Sequence, residues 1–600
     1  MLPATKPPCV IHLFRRNAIH CHQCYLPLVA RVLPTAASSL PSHGLPPTSR
    51  VLLLPEAPPT SPTAARSPKV GPQNRLLWWA LGTPVRHCLM PWIHLSCLDF
   101  SACDIGAMEL LTVFGLYFIL IFILFILLSW AKQKAYKSLP PGPTPIPVLG
   151  TPKYIDLRDV SMKFQKLSQE YGTVFTIWRM SEPVIILYGY EAVKEALVDY
   201  DDFFCGRPNI PAMHAFSKGY DINGARWRSL RRFTLATLKK FGMGNKALKI
   251  RLLSESKCLI QAMSETEGKP FNPRKFMACA LGNIMSSVLF GEHFDYKDEK
   301  LQELLAYTAT FITAIKSPLS TLCNTVPALL KVPVIRHQVL KRTNCIATFV
   351  TNYIKYHKET LNPESQRDFL DHYLMKIKEV EHEMDPDFCD TSLLAIVTGL
   401  LAAATHTTTS TLKFSLVLMA HYPEIQAKVQ QEIDRLTKSL RPPEITDKPN
   451  LPYTNAVIHE IQRVLDITPT ALHHATNEDV KFRGYTIPKG TTVIPFLTSV
   501  LMDPSQWETP EEFNPGHFLT EDGEFRTRAA FLVFSAGKRV CLGEHMARME
   551  VFTLLSMLLQ KFTFTLPPGT KCQDATFLNA NKDEIIESGE ICAELRSLSK

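Results

Sequence analysis

The stretch FSAGKRVCLGEHMARMEVF, residues 534–552, sets one cysteine in a loop that leads directly into a helical pattern. Gly537 and Gly543 allow tight turns and a close approach of the backbone, and the residues beyond them have an amphipathic spacing. The Cys541 sulfur should therefore lie near a helix N-terminus, where free N–H groups and the adjacent lysine and arginine lower the pKa of a thiol. The loop predicts a thiolate that can bind a metal ion, and a buried structural cysteine is the alternative.

The composition is that of a large globular chain. The chain is 46% hydrophobic and 20% charged, as is usual for globular proteins. Its 600 residues are more than one ordinary hydrophobic core needs, so the fold can enclose a large cofactor. The net charge is +9, but residues 1–107 hold nine basic and three acidic residues, so most of the excess lies there. Because no basic stripe with interleaved aromatic residues is present, nucleic acid is not an expected partner. The fifteen cysteines show no regular spacing, and six fall before residue 108; the remaining nine suit a reduced, cytosol-facing domain.

One apolar run, LLTVFGLYFILIFILFILLSWA at residues 110–131, is long enough to cross a bilayer. It contains no charged residue, and a helix of this length matches a hydrocarbon core of ~30 Å. Lys132, Lys134 and Lys137 follow at once, which by the positive-inside rule places the C-terminal part in the cytoplasm. We therefore predict a transmembrane signal anchor over residues 108–131.

The rest of the chain divides by composition. Residues 1–107 hold 16 of the 45 prolines and no useful periodicity, so we predict a low-complexity extension and Met108 as the working start. A targeting segment and a luminal tail are open alternatives, and the CHQC at 21–24 lacks the second pair that a zinc site needs. A basic, proline-rich hinge over 132–150 leads to a globular domain over 151–600.

Local patterns indicate a mainly α domain with a smaller β-rich lobe. Residues 172–198 predict two strands with a turn at 181–183, followed by a helix. Helical periodicity dominates from about 240 to 440. Within it, residues 390–391 offer an N-cap for a long helix that ends near His421. The middle of this helix carries an unusual cluster of threonines around a histidine, in the run LLAAATHTTTS.

The loop around the cysteine matches FxxGxRxCxG, the haem-binding motif of the cytochromes P450, at every fixed position. These positions are Phe534, Gly537, Arg539, Cys541 and Gly543. The resemblance extends from residue 108 to about 600 and is strongest to the vertebrate microsomal enzymes of family 2. It implies a cytochrome P450 fold (α+β, mainly α) behind an N-terminal transmembrane anchor, with 151–600 as a haem-thiolate catalytic domain.

Other segments resemble family motifs in the family's order. Glu460 and Arg463, in HEIQR, are similar to a Glu-x-x-Arg pair whose members share one helix face. PEEFNPGHF resembles the loop that completes that buried network, with His517 where arginine is common. Trp227 and Arg231, in WRSLR, resemble the residues that bind a haem propionate.

The resemblance also implies how the cofactor is held. Cys541 would be the axial thiolate of haem b, which favours cleavage of the O–O bond. The haem carboxylates are expected on Trp227, Arg231, His474 and Arg539. One departure precedes His474, since the family has proline where this chain has His473.

The threonine cluster resembles the family segment Ala-Gly-x-Asp/Glu-Thr-Thr, in the helix that crosses the distal face of the haem. A local distortion of that helix is expected to make room for oxygen and water. Thr407 is expected to support dioxygen by hydrogen bonding and to help to deliver protons. His406 stands where the family carries a carboxylate, and histidine can also shuttle protons. The substrate pocket is expected to include Phe216, Ala403 and Ala471.

The resemblance implies a monooxygenase of the endoplasmic reticulum membrane that acts on a lipophilic xenobiotic, fatty acid or steroid. Electrons are expected from NADPH through a separate cytochrome P450 reductase, with cytochrome b5 as a further candidate partner. Arg232, Lys239, Lys240 and Lys538 lie in segments that the family places on the reductase-facing side. A haem-thiolate isomerase or lyase acting on peroxides, and a haem-binding protein without turnover, are the alternatives.

Overall fold

A computed structural model of the chain describes residues 101–136, 138–154, 160–219, 223–241, 246–381 and 387–596. These residues belong to one compact unit that begins at Leu98. The predicted proline-rich extension up to residue 100, with the CHQC at 21–24, lies outside the described residues.

Most of the described residues are helical. The helices of the first half are α1 Ser101–Ala135, α2 Val160–Tyr171, α3 Tyr190–Lys194, α4 Asp201–Phe204, α5 Pro211–Ser217, α6 Gly224–Phe241, α7 Lys246–Ser264, α8 Arg274–Leu289, α9 Glu299–Ile315 and α10 Pro318–Thr325. The others are α11 Pro333–Thr360, α12 Phe369–Val380, α13 Asp390–His421, α14 Pro423–Thr437, α15 Pro452–Leu465, α16 Thr498–Leu501, α17 Glu544–Lys561, α18 Ala575–Ala580 and α19 Lys582–Ser588. A π-helical turn, Glu195–Asp199, continues α3. The predicted helical region from 240 to 440 is confirmed.

The strands form three small sheets. They are β1 Val174–Arg179, β2 Glu182–Leu187, β3 His474–Ala475, β4 Val480–Phe482, β5 Tyr485–Ile487, β6 Thr492–Pro495, β7 Phe562–Thr565 and β8 Cys592–Leu595. The largest sheet has the order β1-β2-β6-β3, and the others are the pairs β4-β5 and β7-β8. In the largest sheet β2 and β6 are parallel, whereas the other neighbours are antiparallel. A mainly α domain with a smaller β-rich part is therefore what the chain forms.

The first hairpin differs slightly from its prediction. Trp178 of β1 lies opposite Pro183 of β2 in the antiparallel ladder. The turn is therefore Met180–Ser181 rather than residues 181–183, and Met180 has a positive φ of 54°. Proline is tolerated at position 183 because the parallel pairing of β2 with β6 begins one residue later, at Val184.

The apolar run near the N-terminus lies in the single long helix α1. Its segment Thr112–Ala131 has a mean hydropathy of 2.7 and is only 6% buried, so its length and composition suit a membrane span. The helix extends beyond the predicted segment 108–131 at both ends. Near its C-terminal end, the Ser129 hydroxyl lies 3.0 Å from that of Ser181 and accepts the Val148 N–H at 3.0 Å. These bonds tie the end of α1 to the first hairpin.

Helix α13 confirms the predicted long helix and corrects its N-cap. It runs unbroken from Asp390 to His421, and most of it is buried, so it is a core helix. The N-cap is Cys389 rather than either predicted residue, because the Ser392 hydroxyl accepts the Cys389 N–H at 2.9 Å. Asp390 is instead the first helical residue, where its charge suits the helix dipole, and it pairs with Lys358 at 2.6 Å.

The helices share one large apolar core, and the sheets enclose two smaller ones. In the large core α13 packs against α8, α9, α11, α15 and α17. Residues 549–560 of α17 are all buried, so this helix is not amphipathic as its spacing suggested. The helix that follows the cysteine loop is therefore packed against other parts of the protein on every face along residues 549–560.

Glu460 and Arg463 form the predicted pair on α15, and neither side chain is exposed to solvent. Arg463 Nε and Nη2 donate to the two carboxylate oxygens at 2.8 and 2.7 Å. The guanidinium also donates to the carbonyls of Leu501, Pro510 and Glu512. Because each charged atom has a partner, the pair can persist in the core.

His517 completes this network, as the sequence predicted. Its Nδ1 lies 3.1 Å from a Glu460 oxygen, and the Thr509 N–H points at its Nε2 from 3.2 Å. A backbone N–H can only donate, so Nε2 accepts and Nδ1 carries the proton. His517 Nδ1 therefore donates to the Glu460 carboxylate.

Candidate active site

The cysteine-bearing loop folds back onto its own start. The Cys541 N–H donates to the Phe534 carbonyl at 2.9 Å. Gly537 has a φ of 69°, and a Cβ there would lie 1.8 Å from the Leu197 carbonyl oxygen, so only glycine fits. Gly543 has an ordinary φ of −90° and is the N-cap of α17. The close backbone approach that the sequence predicted for this loop is therefore made by Gly537, which lies against the Leu197 carbonyl.

The Cys541 sulfur lies at the N-terminus of α17, as predicted, but its pKa moves in the opposite direction. Burial raises the pKa of the thiol, although solvent reaches part of the side chain. The backbone N–H groups of Gly543 and Glu544, together with the Arg231 guanidinium, lower the pKa by less. The two basic residues of the loop bind other groups: Lys538 pairs with Asp201, and Arg539 donates to the Cys205 carbonyl. A metal ion bound to the sulfur would favour the thiolate.

Trp227 and Arg539, two of the predicted cofactor residues, are in direct contact. The Arg539 guanidinium lies 3.4 Å from the centre of the Trp227 ring and donates to the Cys205 carbonyl at 2.6 Å. Arg231, one turn further along α6, lies 5.8 Å from the same ring and donates to the Val540 carbonyl. The fold thus brings these three predicted residues together beside the cysteine loop.

Arg207 joins this group, although the sequence analysis missed it. Its guanidinium donates to the carbonyls of Leu472 and His473 at 2.6 and 2.9 Å. Burial lowers the pKa of Arg207 to about 10, and the charge of Arg231 acts in the same direction. Neither of these two arginines has a carboxylate partner within the described ranges. In the sequence Arg207 is only one arginine in a short loop. Its burial distinguishes it from other arginines, and burial depends on the tertiary fold.

His474 lies beside the arginines, as predicted, but carries no charge. Its Nδ1 donates to the Phe204 carbonyl at 2.7 Å. Burial and the nearby Arg207 lower the pKa of His474 to about 3, so the ring is neutral and its Nε2 is an acceptor. A carboxylate placed beside the ring would raise that pKa and turn Nε2 into a donor.

This set of donors fits a haem. Two partly buried guanidiniums without acidic partners, Arg207 and Arg231, repel each other and are stabilised by anions such as the two haem carboxylates. One thiol with helix N–H groups behind it can bind the iron. Cys541 and Arg231 also interact electrostatically, so both kinds of group belong to one site.

One strip of α13 is open, although most of the helix is buried. Gly399 and Ala403 are exposed and Thr407 is partly exposed, and their spacing of four places them on one face. The Thr407 hydroxyl donates to the Ala403 carbonyl at 2.7 Å. The stretch remains α-helical throughout, so the structure does not contain the expected distortion. Small side chains keep this face accessible instead.

His406 is partly buried and points towards cations. Burial lowers the pKa of His406, and the charges of Lys316 and Arg274 lower it further. The imidazole is therefore neutral at pH 7. A carboxylate at this position would attract both cations, whereas neutral histidine makes no ion pair with them.

The three predicted pocket residues do not line one common cavity. Phe216 packs against Phe311 with 5.2 Å between ring centres and lines a small, mostly apolar cavity between α5, α9, α10 and α11. Ala403 lies on the open strip of α13, and Ala471 is a partly buried loop residue with a φ of 48°. Neither alanine lines the cavity of Phe216.

Not all four basic residues predicted to face the reductase are free of an acidic partner. Lys538 pairs with Asp201 at 3.1 Å and with Asp202, so its charge is neutralised locally, contrary to the prediction. The sequence could not show this because the partners lie more than 300 positions away. The remaining exposed members are Arg232, Lys239 and Lys240, all on α6.

Gly537→Ala is expected to disrupt the cysteine loop, because the added Cβ would collide with the Leu197 carbonyl. We expect loss of bound haem and a lower midpoint of thermal unfolding. Gly523→Ala is the matched control, since its φ of 80° is also positive but nothing lies within 4 Å of its Cβ. The control should lose only the ~1–3 kcal/mol of a strained backbone. Equal haem loss in both variants would contradict the packing argument.

Comparison with known proteins agrees with this geometry. The Cytochrome P450 family model matches residues 140–582. Cytochrome P450 2C29 of Mus musculus is 42% identical over 442 residues, which are 73% of this chain and 90% of the relative. Cytochrome P450 2C3 of Oryctolagus cuniculus is 39% identical over 488 residues, 81% of this chain and 99% of the relative. The chain therefore belongs to the cytochrome P450 family and is a haem-thiolate monooxygenase.

Proposed function

We propose that the chain inserts one atom of dioxygen into a lipophilic small molecule, with electrons passed from NADPH by cytochrome P450 reductase. The observation that carries the proposal is the single site formed by Cys541 with the unpaired arginines 207 and 231. The proposed cofactor is haem b, because two free carboxylates match two buried guanidiniums.

When bound, the haem activates dioxygen, and the residues of the chain hold it and manage protons. Cys541 would bind the iron. Arg207 and Arg231, together with Trp227 and Arg539, would hold the haem carboxylates, while Phe534 and Gly537 shape the loop. The Thr407 hydroxyl on the open strip of α13 donates to the Ala403 carbonyl, and it would be the group that holds and passes on a proton at this face.

The proposed substrate class is a lipophilic xenobiotic, fatty acid or steroid. The cavity around Phe216 is mostly apolar, with Ser320, Asn324 and Thr343 as its polar members. Ala403 leaves space on the face of α13 that also carries Thr407. The apolar side chains at both places support a lipophilic substrate, because a strongly charged molecule would lose its hydration there without compensation.

The proposed location is the endoplasmic reticulum membrane, with residues 108–131 as the anchor and 151–600 in the cytoplasm. The exposed apolar surface of Thr112–Ala131 supports this arrangement. The lysines of the hinge 132–150 favour the cytoplasmic side. We propose Met108 as the working start, which leaves the anchor at the N-terminus.

The direct test measures consumption of NADPH and oxygen by the haem-loaded chain with added reductase. We expect both to be consumed together, and lipophilic ligands to shift the haem spin state. A haem-thiolate isomerase or lyase would convert a peroxide without reductase, and the absence of an acid at position 406 keeps this second candidate open. A haem-binding protein without turnover would consume neither NADPH nor oxygen.

Reversal of the α6 charges should slow electron transfer. Arg232 and Lys239 are exposed and can steer an acidic reductase or cytochrome b5, an effect that salt screens. The double variant Arg232→Glu, Lys239→Glu should be reduced more slowly, and the difference from the parent should shrink as ionic strength rises. Lys481→Glu, at an exposed position of β4, is the control for charge alone. A flat salt response would count against docking on α6.

His406→Ala should raise the share of electrons lost as hydrogen peroxide. Because the pKa of His406 is lowered, the protonated ring becomes common only below pH 6.5, so the difference from the parent should widen as the pH falls from 8 to 6. His406→Glu should couple at least as well as the parent. The measurement is product formed per NADPH consumed, and identical coupling in all three proteins would exclude His406 from proton delivery.

A further inference from the structure

Arg548, in the second turn of α17, binds three different parts of the structure around the cysteine. Its Nε and Nη2 atoms lie 3.0 and 2.9 Å from one carboxylate oxygen of Glu544. Its Nη1 atom lies 2.8 Å from His459 Nε2 on α15. The guanidinium also lies over the rings of Phe531 and Phe534, 5.5 and 4.9 Å from their centres. One side chain therefore connects α15, the start of the cysteine loop and the first residue of α17.

His459 holds this guanidinium from the side of α15. The ring is 6% exposed, and its Nδ1 donates to the Asn455 carbonyl at 2.7 Å. A guanidinium can only donate, so His459 Nε2 accepts the bond from Arg548. Burial lowers the pKa of His459 to about 3, and the charge of Arg548 acts in the same direction. Because the ring is neutral, it fixes the position of Arg548 but leaves its charge to Glu544.

Glu544 acts on the Cys541 sulfur in two opposite ways. Burial is the largest cause of the raised pKa of the Cys541 thiol, and the Glu544 carboxylate raises that pKa further. The backbone N–H of Glu544 lowers it, because an N–H that points at the sulfur stabilises a negative charge there. The fold thus places a carboxylate beside the sulfur that would bind the iron, and Arg548 supplies the opposite charge one turn later.

This ion pair differs from an ordinary pair on a helix surface. The Lys355–Glu359 pair of α11 has the same spacing, but its atoms are 4.0 Å apart and its side chains are 78% and 63% exposed. The side chains of Arg548 and Glu544 are only 25% and 33% exposed. Solvent and salt screen charges less at such a place. A change of charge at either member should therefore be felt at Cys541.

We propose that Arg548 is a positioning residue that, through Glu544, sets how readily the haem iron bound to Cys541 accepts an electron. This inference rests on the proposed haem site. An unpaired carboxylate near the iron would favour the ferric state, which carries the larger positive charge. Arg548 offsets that effect and also holds Glu544 at the N-terminus of α17. With the pair intact, the one-electron reduction that an external donor must perform is easier.

The reduction potential of the haem-loaded chain tests the proposal without turnover. Arg548→Gln removes the cation and should lower the potential, whereas Glu544→Gln removes the anion and should raise it. We expect each change to be about ten-fold in the ferric–ferrous equilibrium, or about 59 mV for one electron. The double variant should return to the parent value. A purely structural role would shift both single variants in the same direction or in neither, and either result would overturn the proposal.

Lys561→Gln is the matched control for loss of a positive charge. Lys561 is the last residue of the same helix, roughly 25 Å along its axis from Glu544, so this variant should keep the parent potential. If Lys561→Gln shifts the potential as much as Arg548→Gln does, the specific role of Arg548 is excluded. If Arg548→Gln loses its haem, the shift in Glu544→Gln decides alone, and an unchanged or lower potential there would contradict the proposal.

The spectrum of the reduced carbon monoxide complex separates this inference from the proposed function. A parent chain without the thiolate-type band would show that the proposed haem site itself is wrong. A parent and single variants that all keep the band, but share one potential, would exclude only the role of Arg548. We expect the band in every variant that binds haem, together with shifts of opposite sign in Arg548→Gln and Glu544→Gln.

Discussion

The salt bridge between Glu460 and Arg463 has no access to water, and the rest of the fold is arranged to keep it satisfied. Removal of two charges from solvent costs more than their attraction returns unless each remaining donor and acceptor is bonded. The loop from 501 to 517 supplies those bonds through three carbonyls, one backbone N–H and His517. That loop lies in the chain between α15 and the cysteine loop. The buried pair thus fixes the segment that leads to Cys541.

The site itself is electrostatically incomplete without a cofactor. Burial and the charge of Arg231 lower the pKa of Arg207, and burial, with a smaller effect of Arg207, lowers the pKa of His474. Burial also keeps the Cys541 thiol protonated. In the proposed site a bound haem would supply both charges, two carboxylates for the arginines and a cation for the sulfur. Cofactor binding and stability of the folded chain are therefore expected to be strongly coupled.

Much of this arrangement could be predicted from local sequence. The bounds of α13 and the tight turn at Gly537 follow from periodicity and from the conformational freedom of glycine, whereas the Glu-x-x-Arg pair was predicted from the family resemblance. The predictions that were wrong share a different cause, because each property depends on residues that are distant in the sequence. Lys538 is neutralised by acids of α4, and burial reverses the expected shift of the Cys541 pKa.

The contact between Gly537 and Leu197 constrains how this chain can vary. The atom that a side chain at 537 would strike is a main-chain oxygen within the π-helical turn 195–199. No replacement of the leucine side chain can move that oxygen away, so no second substitution at 197 can compensate for a larger residue at 537. Variation at the two positions should consequently be uncorrelated. Relief would require an insertion or deletion that reroutes the turn, a change far rarer than a point mutation.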